Sequence, residues 1–298
     1  MVPSLIAIDC KIMLVSKAED HTASDEEHDW GADMGSMAGR SCIVTGGAQG
    51  IGRAIGEALL DEGGDVCFAD MNGDGAAAAA AENETRAAEN GAKVMSATVD
   101  VTERDQVQAM VAKTVERFGK LDVKFNNAGV NKPMNFLDVT EDNWNFIMKV
   151  NGLGVLIGMQ EAAKQMISQG TGGKIINTAS IAGRSGYDNV APYCASKFAV
   201  VSLTQSGARD LAQHNITVTG FAPGVVHTEL WETLDKDLMA IGASDRPGQA
   251  MEEFSAGILR GRVATPADIT GTTTFLASPA SDYMTGQIVM IDGGMELI

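Results

Sequence analysis

From Arg40 onward, short apolar runs alternate with longer stretches of helical periodicity, and no other feature of the sequence limits its folding so strongly. "SCIVTGG" is followed by a helical pattern over 51–62, "DVCFAD" by an alanine-rich one over 75–90, and "KVMSATVDV" by one over 103–118. "LDVKFNNAG" then precedes 141–168, "GKIINTAS" precedes 191–214, "ITVTGFAPG" leads into a mixed stretch, and "GQIVMIDGG" closes the series. Continuous apolar runs are what strands covered on both faces require, and long connections between them suit parallel pairing. The expectation is an α/β fold: a single doubly wound parallel sheet with helices on both faces.

Residues 38–298 show neither an internal repeat nor an interior linker, so they read as one domain. The six alanines at 76–81 are strong helix formers and read as an exposed crossover helix rather than low complexity. The stretch 227–261 breaks the rhythm, with Trp231, Met239, Pro247 and Met251 scattered through it; a connection that long reads as a lid over a binding site. Residues 1–37 stand apart. Met1 to Val15 is apolar but interrupted by Asp9 and Lys11, too short for the ~20 apolar residues of a membrane span and without the layout of a signal peptide. Glu19 to Asp33 is acidic and aperiodic, so 1–37 reads as a disordered extension or a cloning-derived leader.

Charge and cysteine usage remove several function classes. A formal net charge of −17 argues against nucleic acid and anionic membrane surfaces as partners. Cys10, Cys42, Cys67 and Cys194 show no CxxC pairing and no metal-ligand spacing with the histidines, so no metal site is expected. They read as small core residues in a reducing cytoplasm.

"TGGAQGIG" (45–52) ends the first strand and opens the first helix. Gly46 permits the tight turn, Gly50 lets the backbone approach a pyrophosphate, and Gly52 lets the helix pack closely; the helix N-terminus then offers free N–H groups to phosphates. Asp70, eighteen residues after Gly52, closes the second strand, where a carboxylate accepts from the adenosine ribose hydroxyls and repels a 2′-phosphate. Gln49 stands in the loop and Met71 comes directly after Asp70, so no cation favours that phosphate. These residues imply a Rossmann-type site for NAD (NADH) rather than NADP. Asp100, at the end of the third strand, either reaches the adenine edge or serves the cap of the next helix.

"YCASK" (193–197) places a phenol and an ammonium one helical turn apart on the same face. An ammonium within ~4–6 Å stabilises the phenolate and lowers a phenol pKa from near ~10, and a bound oxidised nicotinamide acts in the same sense. Tyr193 is thereby expected to be a general acid–base and Lys197 its electrostatic partner. Ser180, at the end of "KIINTAS", can hold the substrate oxygen together with the phenol, and Asn151, in "KVNGLG", can hold a water linking Lys197 to solvent.

With these motifs in place the sequence resembles the short-chain dehydrogenase/reductase family from about Gly39 to Met295. "TGGAQGIG", "NNAG" (126–129), "VNGLG", the strand-end serine, "YCASK" and "PGVVHT" (223–228) come in the family's order. The resemblance puts the catalytic tetrad on Asn151, Ser180, Tyr193 and Lys197. It places cofactor contacts at Gly46, Gln49, Gly50, Ile51, Gly52, Asp70 and Met71 and at Asp100 and Val101. It extends them through Asn126, Asn127, Ala128 and Gly129, and to Tyr193 and Lys197, Pro223, Gly224, Val226 and Thr228. It implies hydride transfer between a secondary alcohol and NAD, Tyr193 taking or giving the proton. The C-terminal part resembles the acetoin reductase/2,3-butanediol dehydrogenase and sorbitol (polyol) dehydrogenase branches, so the expected partner is a small alcohol, diol or polyol, or the ketone. Ser180, Ile181, Ala182, Gly183, Tyr187 and Trp231 are candidate pocket walls; for Trp231, packing of the lid is the equal alternative. His227 reads as a surface residue. The alternatives are a 3-oxoacyl-carrier-protein reductase, disfavoured by the absence of a basic cluster in 227–261, and a non-catalytic NAD-binding sensor or scaffold. A homotetramer is implied, a dimer being the alternative.

Overall fold

In the computed structural model residues 37–297 are described. The extension read into residues 1–36, with Cys10, lies outside them. Met37, grouped with that extension on sequence, is fully buried and its N–H donates to the Glu62 carbonyl at 2.9 Å. Met37 therefore belongs with the packed domain and not with the extension the sequence suggested.

Seven parallel strands form the sheet: β1 (Ser41–Thr45), β2 (Asp65–Asp70), β3 (Val94–Thr98), β4 (Val123–Asn126), β5 (Gly173–Thr178), β6 (Ile216–Pro223) and β7 (Ile288–Ile291). Their order is β3-β2-β1-β4-β5-β6-β7. The chain winds outward from β1 to β3, then returns to lay β4 on the other side of β1. That reversal opens a crevice at the carboxyl ends of β1 and β4, the place where such sheets bind ligands. Both faces are apolar, as the unbroken runs implied. Ile43, Cys67 and Ala69 point into one core, while Cys42, Val44, Val66 and Phe68 point into the other. Alternate residues of one strand therefore serve two helical layers.

The first layer meets the strands through α1 (Gly50–Asp61), whose Gly56 has no room for a side chain: a Cβ there would come within 2.2 Å of the Phe68 ring. The alanine-rich stretch is two helices, α2 (Gly73–Glu82) and α3 (Glu84–Glu89). The joint is Asn83, whose buried amide donates to Ala79 O at 2.9 Å and to Glu57 Oε1 at 3.3 Å. Side-chain bonding of this kind competes with helix continuation. Ala76, Ala79 and Ala80 are buried, so one face of the alanine run is packed and not solvated as expected.

On the other layer α4 (Arg104–Phe118) ends at Gly119, whose φ of 92° only glycine adopts cheaply. The helix expected over 141–168 is interrupted: α5 (Glu141–Met148) passes through a π-helical segment, Lys149–Gly154, into α6 (Val155–Gln169). Gly152 and Gly154 weaken the α-helical ladder there, and π-segments are concentrated at functional sites. α7 (Ala191–Leu211) begins with Pro192 in its first turn, where the missing N–H is harmless. Between β6 and the end of the chain lie α8 (Glu229–Ala240), α9 (Gln249–Ser255) and α10 (Ala267–Ala277). α10 was not legible in sequence: "ADITGTTTFLA" is rich in threonine and glycine, yet Ile269, Leu276 and Ala277 fill the same core as α1. Among the described residues no helix is long and apolar enough to cross a membrane.

Candidate active site

A cleft of about 650 Å³ runs along the carboxyl ends of β1, β2 and β4. Its floor is the glycine turn. A Cβ on Gly52 would lie 2.1 Å from Gly46 O, and one on Gly46 would lie 3.0 Å from Ala128 Cα, so neither position admits a side chain without moving backbone. Gln49 caps α1 without a side-chain hydrogen bond, and the first turn carries no acid. The N–H groups are left for a phosphate, which fits a dinucleotide pyrophosphate. Asp70 lines the cleft at the end of β2; its carboxylate accepts from Ala48 N at 3.1 Å and Asn72 N at 2.9 Å, tying the glycine turn to the second strand. Lys149, at the cleft wall, is paired with Glu103 at 3.1 Å. Asp100 and Val101 also line the cleft, but Asp100 Oδ1 already accepts from Thr102 N and Oγ1 at 2.9 and 2.8 Å.

Hydrogen bonds knit the crevice together across three strands. Thr45 Oγ1 accepts from Asn127 N at 3.1 Å, Asn127 Nδ2 donates to Thr45 O at 3.0 Å, and Thr178 Oγ1 donates to Asn127 Oδ1 at 3.2 Å. Asn127, Ala128 and Gly129 line the cleft. Asn126 does not. It is buried beneath, donating to Asn177 Oδ1 at 2.9 Å, and the sequence expectation is corrected: strand alternation turns it into the sheet, against Gly158 of α6. Pro223, Gly224, Val226 and Thr228 line the opposite wall. Thr228 starts α8 close to the glycine turn, since a Cβ on Gly50 would lie 3.4 Å from its methyl group.

α7 brings Tyr193 and Lys197 to the mouth of β5. Lys197 Nζ donates to Thr178 O at 2.8 Å and sits 5.6 Å from the centre of the Tyr193 ring. Ser180 borders the same space as the Tyr193 phenol, and its Oγ accepts from Ala182 N at 3.1 Å. Asn151 is fully buried in the π-segment: Oδ1 accepts from Val130 N at 2.9 Å, while Nδ2 donates to Val130 O at 2.9 Å and Ser196 Oγ at 3.0 Å. Both amide hydrogens are spent on protein, and Oδ1 keeps a second lone pair. The side chain pins α7 and the segment after β4 to the π-turn.

Burial pushes the Tyr193 phenol up to about 12, against a smaller downward pull from the neighbouring Ser180 hydroxyl. Burial also pushes Lys197 down to about 8. Burial thus works against the charged form of each group, while the Lys197 ammonium, 5.6 Å from the ring centre, favours the phenolate. At pH 7 the site holds a protonated phenol beside a protonated amine. That pair is set to give a proton to a carbonyl oxygen. A further positive charge would favour the reverse transfer: a unit charge within ~6 Å is worth about 3 kcal/mol at an effective dielectric of ~20, roughly two pKa units.

A second cavity, of about 630 Å³, opens on the far side of the tetrad. Ser180, Tyr193, Gly224, Leu230 and Trp231 border both spaces. Ile181, Ala182 and Tyr187 line the second, as expected, but Gly183 does not: it faces α7, where a Cβ would lie 2.9 Å from Lys197 O. Trp231 both lines the cavity and packs edge-on against Phe254, ring centres 5.7 Å apart, so the two readings offered for it hold together. Phe254 also meets Tyr187 at 5.9 Å. Sequence reasoning missed Phe254, Leu230 and Glu296. The isolated aromatic in "MEEFSAG" was a signal for the first, whereas nothing marked a glutamate two residues before the terminus. His227 is exposed and lines neither space.

A glycine turn on a helix N-terminus, a strand-end carboxylate and a Ser–Tyr–Lys cluster facing a second cavity define an oxidoreductase that uses a nicotinamide cofactor on a CH–OH or carbonyl carbon. The chain belongs to the short chain dehydrogenase family, whose description matches residues 40–239. It is 38% identical over 256 residues to a diacetyl reductase [(S)-acetoin forming] of Staphylococcus epidermidis, covering 86% of this chain and 98% of that one. It is 40% identical over 253 residues to L-2,3-butanediol dehydrogenase of Corynebacterium glutamicum (85% and 97% covered). Sorbitol dehydrogenase of Cereibacter sphaeroides is 38% identical over 256 residues (86% and 97%). Among solved structures, a short-chain type dehydrogenase/reductase from Mycobacterium marinum superposes with a TM-score of 0.79 at 34% identity, over 89% of this chain and 98% of its own. A putative NAD(P) dependent gluconate 5-dehydrogenase from Beutenbergia cavernae with bound NADP gives 0.76 at 32%, over 88% and 98%.

Proposed function

We propose that this enzyme interconverts an uncharged secondary alcohol, a small diol or polyol, with its ketone, using NAD(H). The observation that carries the reading is that Ser180 and Tyr193 form the boundary between the two cavities. A carbinol lying in the second cavity would meet a hydroxyl that orients its oxygen and a phenol that exchanges its proton, and the residues of the first cleft would hold the cofactor. The cofactor, when bound, accepts or supplies the hydride. Tyr193 gives its proton to the carbonyl oxygen in reduction and takes it back in oxidation, Ser180 holds that oxygen, and Lys197 restores the phenol's proton through the cleft. Asn151 acts by holding the π-turn, Val130 and Ser196 in register with α7.

NAD is favoured over NADP because Asp70 offers a carboxylate where a 2′-phosphate would need a cation, and Lys149 is already paired with Glu103. The helices α8 and α9, within the 227–261 stretch, act as the lid, closing over the substrate through Leu230, Trp231 and Phe254. The relatives named as diacetyl reductase, 2,3-butanediol and sorbitol dehydrogenases favour the diol and polyol reading. A homotetramer in the cytoplasm is the corresponding assembly and location. Purified protein mixed with NAD and a panel of secondary alcohols should produce NADH absorbance at about 340 nm with at least one diol or polyol. Absence of NADH with every alcohol, at protein concentrations where NAD binds, would leave the non-catalytic nucleotide-binding reading in its place.

A further inference from the structure

The far wall of the second cavity carries a group that the reaction does not use. The Tyr187 hydroxyl donates to Glu296 Oε1 at 2.5 Å. Glu296 is fixed from behind: its N–H donates to Asp292 Oδ2 at 2.8 Å, and Gly294 N donates to Asp292 Oδ1 at 3.0 Å. Between them Gly293 and Gly294 adopt φ of 68° and 82°, a turn that side chains disfavour. Asp292 in turn sits against Gly224 of the cavity wall, where a Cβ would lie 2.9 Å from Asp292 Cα. The glutamate is thus held by backbone, and Asp292 is its positioning residue. Its second oxygen, Oε2, takes no hydrogen bond from the described residues and is not among their sealed, unpartnered polar atoms. Glu296 lines the second cavity, and this oxygen keeps its lone pairs free of the described residues.

The charge of the cavity points the same way. Among the described residues, none of the lining side chains is a lysine, arginine or histidine, whereas Asp188, Glu253 and Glu296 are carboxylates. Asp188 and Glu253 stand at the exposed rim and Glu296 lies further in. Burial and the neighbouring carboxylate hold the Tyr187 phenol well above the usual range, so it keeps its proton and remains a donor to Glu296. It does not compete with Tyr193 as a second acid–base.

Resting on the proposed alcohol oxidoreduction, we infer that Glu296, oriented by Tyr187 and Asp292, is a distal hydroxyl-binding subsite that selects uncharged polyhydroxylated alcohols and hydroxyketones and rejects their carboxylate or phosphate counterparts. An ionised carboxylate only accepts, so it rewards a second O–H on the substrate and repels an anion in the same place. Tyr187, Phe254 and Trp231 supply apolar faces for the carbon chain between the reacting carbinol and that hydroxyl. The chain therefore differs in substrate charge from what a sugar-acid dehydrogenase must accommodate.

The test compares kcat/KM, with NAD, for 2-butanol, for sorbitol or 2,3-butanediol (whichever is the better substrate), and for gluconate, whose skeleton is that of sorbitol with a carboxylate at one end. Wild-type protein should favour the polyol over gluconate by about a hundredfold or more. Glu296→Gln should lower the polyol-to-2-butanol ratio by at least about tenfold, the range of one charge-assisted hydrogen bond, and raise gluconate relative to the polyol. Glu296→Asp, which keeps the carboxylate, should recover part of the ratio and serves if the glutamine variant does not fold. An unchanged ratio in Glu296→Gln, or gluconate oxidised as well as the polyol, overturns the inference while leaving the alcohol reading intact. If no alcohol is turned over, the alcohol reading fails, and the subsite is read instead from NADH fluorescence of the binary complex titrated with sorbitol and with gluconate. Preferential sorbitol binding lost in Glu296→Gln supports it; equal binding of the two overturns it.

Discussion

Lys124 stands in the middle of β4, opposite Ile43 on one side and Ile175 on the other, and is fully buried. Its Nζ donates to the Phe125 carbonyl at 2.9 Å, and Cys67 is the titratable group that faces it. Burial pushes the amine down to about 7. Against an unfolded value of ~10.4 the difference is roughly three and a half pKa units, or about 5 kcal/mol as an upper bound. Below pH ~7 both states carry the proton and the full penalty falls on the folded protein. Between pH ~7 and ~10.4 the unfolded chain binds a proton that the folded one does not, so this group makes stability rise with pH. Lys124→Met keeps the length of the side chain and removes the charge. Phe125 O keeps a donor, because Thr45 Oγ1 also reaches it at 3.1 Å. The variant should be more stable than wild type by about 2–5 kcal/mol at pH 6, and the gain should shrink towards zero by pH ~10. Denaturant unfolding of both proteins at pH 6 and 9.5, at equal concentration, reads the difference directly. A variant no more stable at pH 6, or a gain that does not diminish with pH, would show that the amine is not buried as an unpaired base.

Three further outcomes are expected. Gly52→Ala should abolish the rise in Tm on adding NADH, because its Cβ would fall 2.1 Å from Gly46 O; a retained shift would show that the glycine turn is not the pyrophosphate seat. Asp70→Asn, which keeps an acceptor for the glycine turn but removes the charge, should shift the NAD-to-NADP ratio of kcat/KM towards NADP by about tenfold or more, and an unchanged ratio contradicts the role given to Asp70. Ketone reduction should run level from pH 6 to about 8 and decline above it as Lys197 loses its proton, whereas a rate that climbs through pH 8–9 would mean the amine works in its neutral form.

The sheet was legible because parallel strands buried on both faces write themselves as unbroken apolar runs, and each expected run became a strand. The glycine turn, Asp70 and the Ser180, Tyr193 and Lys197 cluster were legible because their chemistry fixes both residue type and spacing. What depended on tertiary contacts was not. α10 owes its burial to α1 and the sheet, not to its own periodicity. The break at Asn83 and the π-turn at Asn151 go with side chains bonding across elements, which periodicity does not record. Phe254 and Glu296 reach the cavity only because α9 and the C-terminal turn fold back over it. The burial that opposes the ionisation of Tyr193 and Lys197 could not be read from their four-residue spacing.

The central claim is that the Tyr193 phenol carries the proton for a substrate seated between the two cavities. Stopped-flow hydride transfer from NADH to a ketone, in wild type and Tyr193→Phe with cofactor affinity measured alongside, tests it most directly. The account predicts a loss of at least ~10²-fold in the transfer rate with NADH binding retained, the range of general acid catalysis. A phenylalanine variant that reduces the ketone at the wild-type rate would contradict it.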